Sequence, residues 1–209
     1  MNAYPTDKSN DFIYVKALIP TIQEDMRYYT ANNFIGHPIS GYKRPVCILT
    51  KPAAHALLKI QHKLNEKNLG LKLYDCYRPQ MAVDSFVQWS QDPQDQVRKA
   101  EYYPRMDKSR LFQHNYIAYR SGHTRGSTVD LTIVDLNTHK SLDMGTPFDF
   151  MDPLSHPSCR AITAEQFKNR MLLRTLMQTA GFIPLSTEWW HFTLKNEPYK
   201  DTYFNFPVE

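Results

Sequence analysis

Apolar and polar positions change period along this chain, and the changes mark out its elements. Short apolar runs mixed with aromatics between Arg27 and Gly41 predict loops and short strands wrapping a surface. From Pro52 onward, Ala54, Leu57, Leu58, Ile60 and Leu64 recur at helical spacing, which predicts a helix with proline in its first turn. Gly70 predicts its end, and Leu71-Lys72-Leu73-Tyr74 follows as a strand. Pro79 predicts the first helical position of a segment carrying Val83, Phe86, Val87 and Trp89, so Arg78 falls at a strand-to-helix junction. Asp92-Pro93-Gln94-Asp95 breaks that pattern, and the polar stretch from Glu101 to Gln113 predicts an exposed segment.

The period becomes two over Val129 to Val134, with Val129, Leu131 and Ile133 on a core face and Asp130 on the other. Gly145 to Pro157, rich in Pro, Asp and Phe, reads as a long structured loop. Thr163 and Gln166 form a capping box that opens a helix through Phe167, Met171, Leu172, Leu176 and Ala180, closed by Gly181. Phe182 to His191 is a last extended segment before a Tyr/Phe/Pro tail. Strands and helices mix without regular βαβ repetition. The expected fold class is α+β, a central antiparallel-rich sheet with helices packed on it, in a single domain over residues 1–209.

Composition narrows the function classes. Hydrophobic residues at 42% argue against a disordered chain, and a formal charge of +4 from scattered Lys and Arg lacks the dense basic run of a nucleic-acid tail. No run approaches the roughly 18 apolar residues of a membrane span. The polar start, Met1 to Asp11, lacks the apolar centre of a signal peptide, which makes cytoplasmic the default and periplasmic the alternative if an export signal is missing. Cys47, Cys76 and Cys159 have no CxxC spacing and read as small buried side chains in a reducing compartment; one disulfide plus one free thiol stays open.

The candidate chemistry lies in two distant segments. Ser121 to Asp130 supplies His123 and Asp130, and Glu188-Trp189-Trp190-His191 supplies a second imidazole with a carboxylate three residues before it. Alone, such a His is more often a surface residue and such an Asp a strand cap. Together, His123, Asp130 and His191 are a donor set for one zinc ion with its fourth position open, and Glu188 is the candidate general base for an attacking water. Spacing of three puts Glu188 and His191 on opposite sides of a flat strand, so a twist, bulge or turn must bring them together. Arg78 is a candidate clamp for a developing oxyanion. Ser121 and Asp149 are candidates for holding a substrate's carboxylate and ammonium ends.

With those residues in place, the chain resembles the VanX-type D-alanyl-D-alanine dipeptidases, zinc peptidases related to bacterial D,D-carboxypeptidases. The resemblance runs through Asp25-Met26-Arg27-Tyr28, Asn32-Asn33-Phe34, Tyr74-Asp75-Cys76-Tyr77-Arg78-Pro79, Ser121 to Asp130, Met144 to Asp152, Glu188 to His191 and Tyr203-Phe204-Asn205-Phe206-Pro207. It implies one zinc per chain on His123, Asp130 and His191, with Glu188 as base and Arg78 polarising the carbonyl. It implies Tyr28 and Ser121 around the bound dipeptide and Asp149 receiving its amine. The implied substrate is free D-Ala-D-Ala, cleaved in peptidoglycan metabolism for glycopeptide resistance or dipeptide salvage. The alternative is a D,D- or L,D-carboxypeptidase acting on longer wall peptides. Expected partners are the small dipeptide, with no nucleic acid and no membrane; a homo-oligomer is compatible with the sequence.

Overall fold

The computed structural model describes residues 4–209; Met1-Asn2-Ala3, the first part of the polar start, lies outside the described residues. The chain begins with β1 (Phe12–Tyr14), α1 (Val15–Leu18), β2 (Gln23–Glu24) and β3 (Ile48–Thr50). It continues through α2 (Lys51–Asn65), β4 (Leu69–Asp75), α3 (Gln80–Gln91), α4 (Lys99–Tyr102) and β5 (Thr128–Asp135). It ends with α5 (Ala164–Thr179), β6 (Phe182–Pro184) and β7 (His191–Leu194).

Five strands form the main sheet in the order β2-β4-β5-β7-β6, while β1 and β3 pair as a separate antiparallel ribbon. β2 is parallel to β4, and the other neighbours in the main sheet are antiparallel, the α+β arrangement that the patterning predicts. α2 packs against β4, α5 against β6, and the two helices meet each other.

α2 buries Ala53, Ala54, Leu57, Ile60 and Leu64 along one stripe, as helical spacing requires. Gln61 lies on the same stripe, and its Oε1 accepts a 2.9 Å hydrogen bond from the Leu71 amide, which ties the helix to the strand after it. The chain turns at Asn68, in the left-handed region at φ 54°, and Gly70 lies inside β4 rather than at the helix end. Asparagine tolerates that conformation, so glycine is not needed for the stop. Pro79 is the cap of α3, one position earlier than expected, with extended backbone. The capping box at Thr163 is complete: its Oγ1 accepts from the Gln166 amide and the Gln166 Oε1 accepts from the Thr163 amide.

Three expectations need correction. First, Cys47 and Cys76 are joined in a disulfide, and Cys159 is the free thiol. Both half-cystines are fully buried, so the reading of them as small interior residues holds but the reading of them as thiols does not. Second, the segment from Glu101 to Gln113 is anchored, with Tyr102, Tyr103, Lys108 and Leu111 buried. Lys108 keeps its charge satisfied by donating to the carbonyls of Asp92 and Asp95, at 2.6 and 2.8 Å, beneath the face of Trp89. Third, Thr132 and Val134, on the Asp130 side of β5, are as buried as Val129, Leu131 and Ile133. β5 is the middle strand of five, so both of its faces are covered.

The loop after β5 is held from behind by Arg170 of α5. Its buried guanidinium donates to the carbonyls of Met144 (2.6 Å), Leu154 (2.9 Å) and His156 (2.9 Å). One side chain thereby satisfies backbone carbonyls at both ends of the stretch 144–156. Asp152 adds a cap at the Leu154 amide and a two-pronged ion pair with Arg105, joining this loop to the segment around α4.

Candidate metal centre and active site

Strand register brings the first candidates together. Asp130 on β5 faces Asp75 on β4 and His191 on β7, so three residues far apart in sequence lie side by side across the sheet. A register irregularity between Leu73 and Asp75 sets the end of β4 there. His123 arrives from the turn Gly122–Arg125 immediately before β5. Ser121 caps that turn, its Oγ accepting from the His123 amide at 3.2 Å. Gly126 ends it at φ 82°, and a Cβ there would stand 2.1 Å from Phe12, so no other residue fits.

His123 Nε2 lies 3.2 Å from Asp130 Oδ2, His191 Nδ1 lies 3.0 Å from Asp130 Oδ1, and the two imidazole nitrogens are 3.3 Å apart. These donor atoms all fall within 4.8 Å of one another. On the far side of its ring, His123 Nδ1 meets the Cys76 carbonyl at 2.8 Å. A carbonyl only accepts, so Nδ1 carries the hydrogen and Nε2 presents its lone pair to the cluster. Asp130 Oδ1 is buried without a hydrogen-bond partner despite the nearby imidazole. Lone pairs converging on one point in a buried site are satisfied by a cation, and the residues present fit a divalent metal ion.

The electrostatics agree. Burial would raise the Asp130 carboxyl, but the imidazoles of His123 and His191 override it and hold it below the ordinary carboxylate range. Burial would lower His191, but Asp130, and to a smaller degree Glu188, raise it. The attraction for positive charge at this point is strong enough to reverse the cost of burial at both residues.

Glu188 and His191 are brought together by a turn. Glu188, Trp189 and Trp190 form the connection between β6 and β7, and Glu188 Oε2 lies 3.6 Å from His191 Nδ1. Trp189 docks that connection onto the loop before α5, its Nε1 donating to Thr146 Oγ1 at 2.9 Å. Burial pushes the Glu188 carboxyl up to about 7, with Asp130 adding to the rise and His191 and Arg78 opposing it. A carboxylate in that range exchanges protons near neutrality.

Arg78 lies half-buried between Asp75 and the cluster. Its Nε and Nη2 both reach Asp75 Oδ2 at 2.9 Å, while Nη2 stands 3.8 Å from Asp130 Oδ2. Tyr42 donates to the other Asp75 oxygen at 2.6 Å, so the carboxylate that orients Arg78 is itself fixed. Asp75 sits in the same six-residue run as Arg78, and the opposite charges three apart were a readable signal of the pair. Tyr28 donates to Asp149 Oδ2 at 2.8 Å. Asp149 has φ 61°, and burial holds its carboxyl well above the usual range, with the Asp130 charge adding to the rise. The Tyr28 hydroxyl thus fixes a buried acidic group whose backbone lies in the left-handed region that aspartate tolerates.

Tyr28, Arg78, Ser121, His123, Asp130, Asp149, Glu188 and His191 thus line one cavity of about 210 Å³. Trp190 walls it, as do residues 115–118 and Arg120. An α+β fold carrying a buried two-imidazole, one-carboxylate cluster beside a proton-exchanging glutamate defines a metal-dependent hydrolase. Residues 8–209 match the Peptidase_M15 family model, described as D-ala-D-ala dipeptidase, and the chain belongs to that family. It is 44% identical to a D-alanyl-D-alanine dipeptidase of Streptomyces coelicolor, over 96% of this chain and 99% of that protein. It is 41% identical to one from Enterococcus faecalis, covering 95% and 98%, and 32% identical to one from Escherichia coli, covering 89% and 86%.

Proposed function

We propose that this enzyme hydrolyses free D-Ala-D-Ala to two D-alanines in a zinc-dependent reaction, with one zinc per chain held by His123, Asp130 and His191. Two imidazoles and a carboxylate that leave a position open suit zinc, whose structural sites are instead closed and usually rich in Cys. When bound, the ion supplies Lewis acidity and makes water a competent nucleophile near neutral pH. Glu188 takes the proton of the attacking water and hands it to the departing amine, a task matched to a carboxyl raised to about 7. Arg78, steadied by Asp75, faces the developing oxyanion, and a preorganised donor there contributes about 3 kcal/mol. Asp149, oriented by Tyr28, receives the substrate ammonium, and Ser121 retains its O–H to donate to the carboxylate end.

The observation that carries this reading is the confinement of the metal cluster, the base and the Asp149 carboxylate to one cavity of about 210 Å³. A longer peptide placed there has no ammonium opposite Asp149 and leaves that buried group unpaired. Hydrolysis of the stereoisomeric Ala-Ala dipeptides and of tri- and tetrapeptides by zinc-loaded protein, with Glu188→Ala as control, tests the proposal. Cleavage concentrated on D-Ala-D-Ala is expected; equal cleavage of longer peptides favours the carboxypeptidase alternative.

A further inference from the structure

We infer that Arg120 is the counter-ion for the substrate's free carboxylate, a specificity role that rests on the dipeptidase reading above. A free dipeptide is charged at both ends, and the cavity is lined by three carboxylates, Asp130, Asp149 and Glu188. Asp149 suits the ammonium end, while Asp130 and Glu188 belong to the metal cluster and the base, and none of the three is a partner for the carboxylate end. A hydroxyl such as Ser121 offers one hydrogen bond, which is little compensation for taking a carboxylate out of water.

Besides the imidazoles, the cations lining the cavity are Arg78 and Arg120. Arg78 is already committed, two of its nitrogens being on Asp75. Arg120 directly precedes Ser121, stands exposed at the cavity mouth, and has no ion-pair partner among the described residues. Its guanidinium lies 5.1 Å over the ring of Tyr203. That contact restricts the side chain without neutralising its charge, so less freedom is lost when an anion arrives. Arg125 approaches the same ring at 5.7 Å, but it is held two-pronged by Glu197 and is spent. The result is a dipole matched to the ligand: Asp149 for the ammonium, and Arg120 with Ser121 for the carboxylate.

The test compares D-Ala-D-Ala with D-Ala-D-alaninamide, which lacks the terminal charge, in zinc-loaded wild type, Arg120→Gln and Arg120→Lys. Glutamine keeps a planar group for Tyr203 and removes the charge. The expected result is a fall of about tenfold in the acid-to-amide ratio of kcat/KM for Arg120→Gln, carried by KM, with lysine recovering most of it; tenfold is about 1.4 kcal/mol. The same ratio should fall when dissociation constants are read by calorimetry on Glu188→Ala protein with and without the glutamine change. An equal loss on both substrates, or none on either, overturns the assignment. Wild-type protein that cleaves neither substrate overturns the dipeptidase reading itself, and this inference with it.

Discussion

Removing the Cys47–Cys76 bond should cost this protein a large part of its stability, and the amount follows from the chain. The bond closes a loop with a sequence separation of 29. Restricting the unfolded chain by a loop of that length is worth about 3.5 kcal/mol in the chain-entropy treatment. For a chain of this size each kcal/mol moves the melting temperature by about 2–4 °C, so the double variant Cys47→Ala/Cys76→Ala should melt about 7–14 °C lower. The comparison is made on metal-free protein, so that ligand binding does not mask it. The effect should reach the site, because the Cys76 carbonyl receives His123 Nδ1 and Arg78 lies two residues further on. Thiol titration of unfolded, unreduced wild type should find the single thiol of Cys159. Three titratable thiols would show that the bond does not form, and a double variant that melts with wild type would show that it adds no stability.

Two further outcomes follow from buried charge. In metal-free protein, the Glu188 carboxyl rises from 4.5 to about 7 on folding, so its ionised form is penalised in the folded state. Stability is therefore greatest below the unfolded value and is lost as pH rises through 4.5 to about 7; Glu188→Gln should be more stable by up to about 3 kcal/mol above that window and equal below it, read by denaturation across pH. Arg170→Met leaves the carbonyls of Met144, Leu154 and His156 without their donor, which should cost about 3–5 kcal/mol in denaturant and raise KM by loosening the loop that carries Asp149. A variant with unchanged stability would mean that water replaces the guanidinium at little cost.

Local signals carried α2, α3, α5 and β5, because each depends on spacing within its own segment: the Pro52 start, the Thr163 capping box, the alternation from Val129. They also carried the candidate residues of the site, since imidazoles and carboxylates with flanking glycines are visible as residue types. What the sequence could not yield was pairing between distant segments. The register that sets Asp75, Asp130 and His191 abreast depends on strand order, which no single segment encodes. The Cys47–Cys76 bond joins the residue before β3 to the residue after β4, and an odd cysteine count gave no pairing to follow. Arg170 looks like one more polar position on a surface helix, and its burial follows from a loop that folds back over it. Lys108 was hidden for a similar reason: the carbonyls that accept its charge belong to residues 16 and 13 positions earlier in the chain.

Zinc equilibrium dialysis shows whether His123, Asp130 and His191 meet on one ion. One equivalent should bind per wild-type chain, with affinity weakened at least about 100-fold in each of His123→Ala, Asp130→Ala and His191→Ala while the variants remain folded. Undiminished binding of one zinc by any of the three would contradict it.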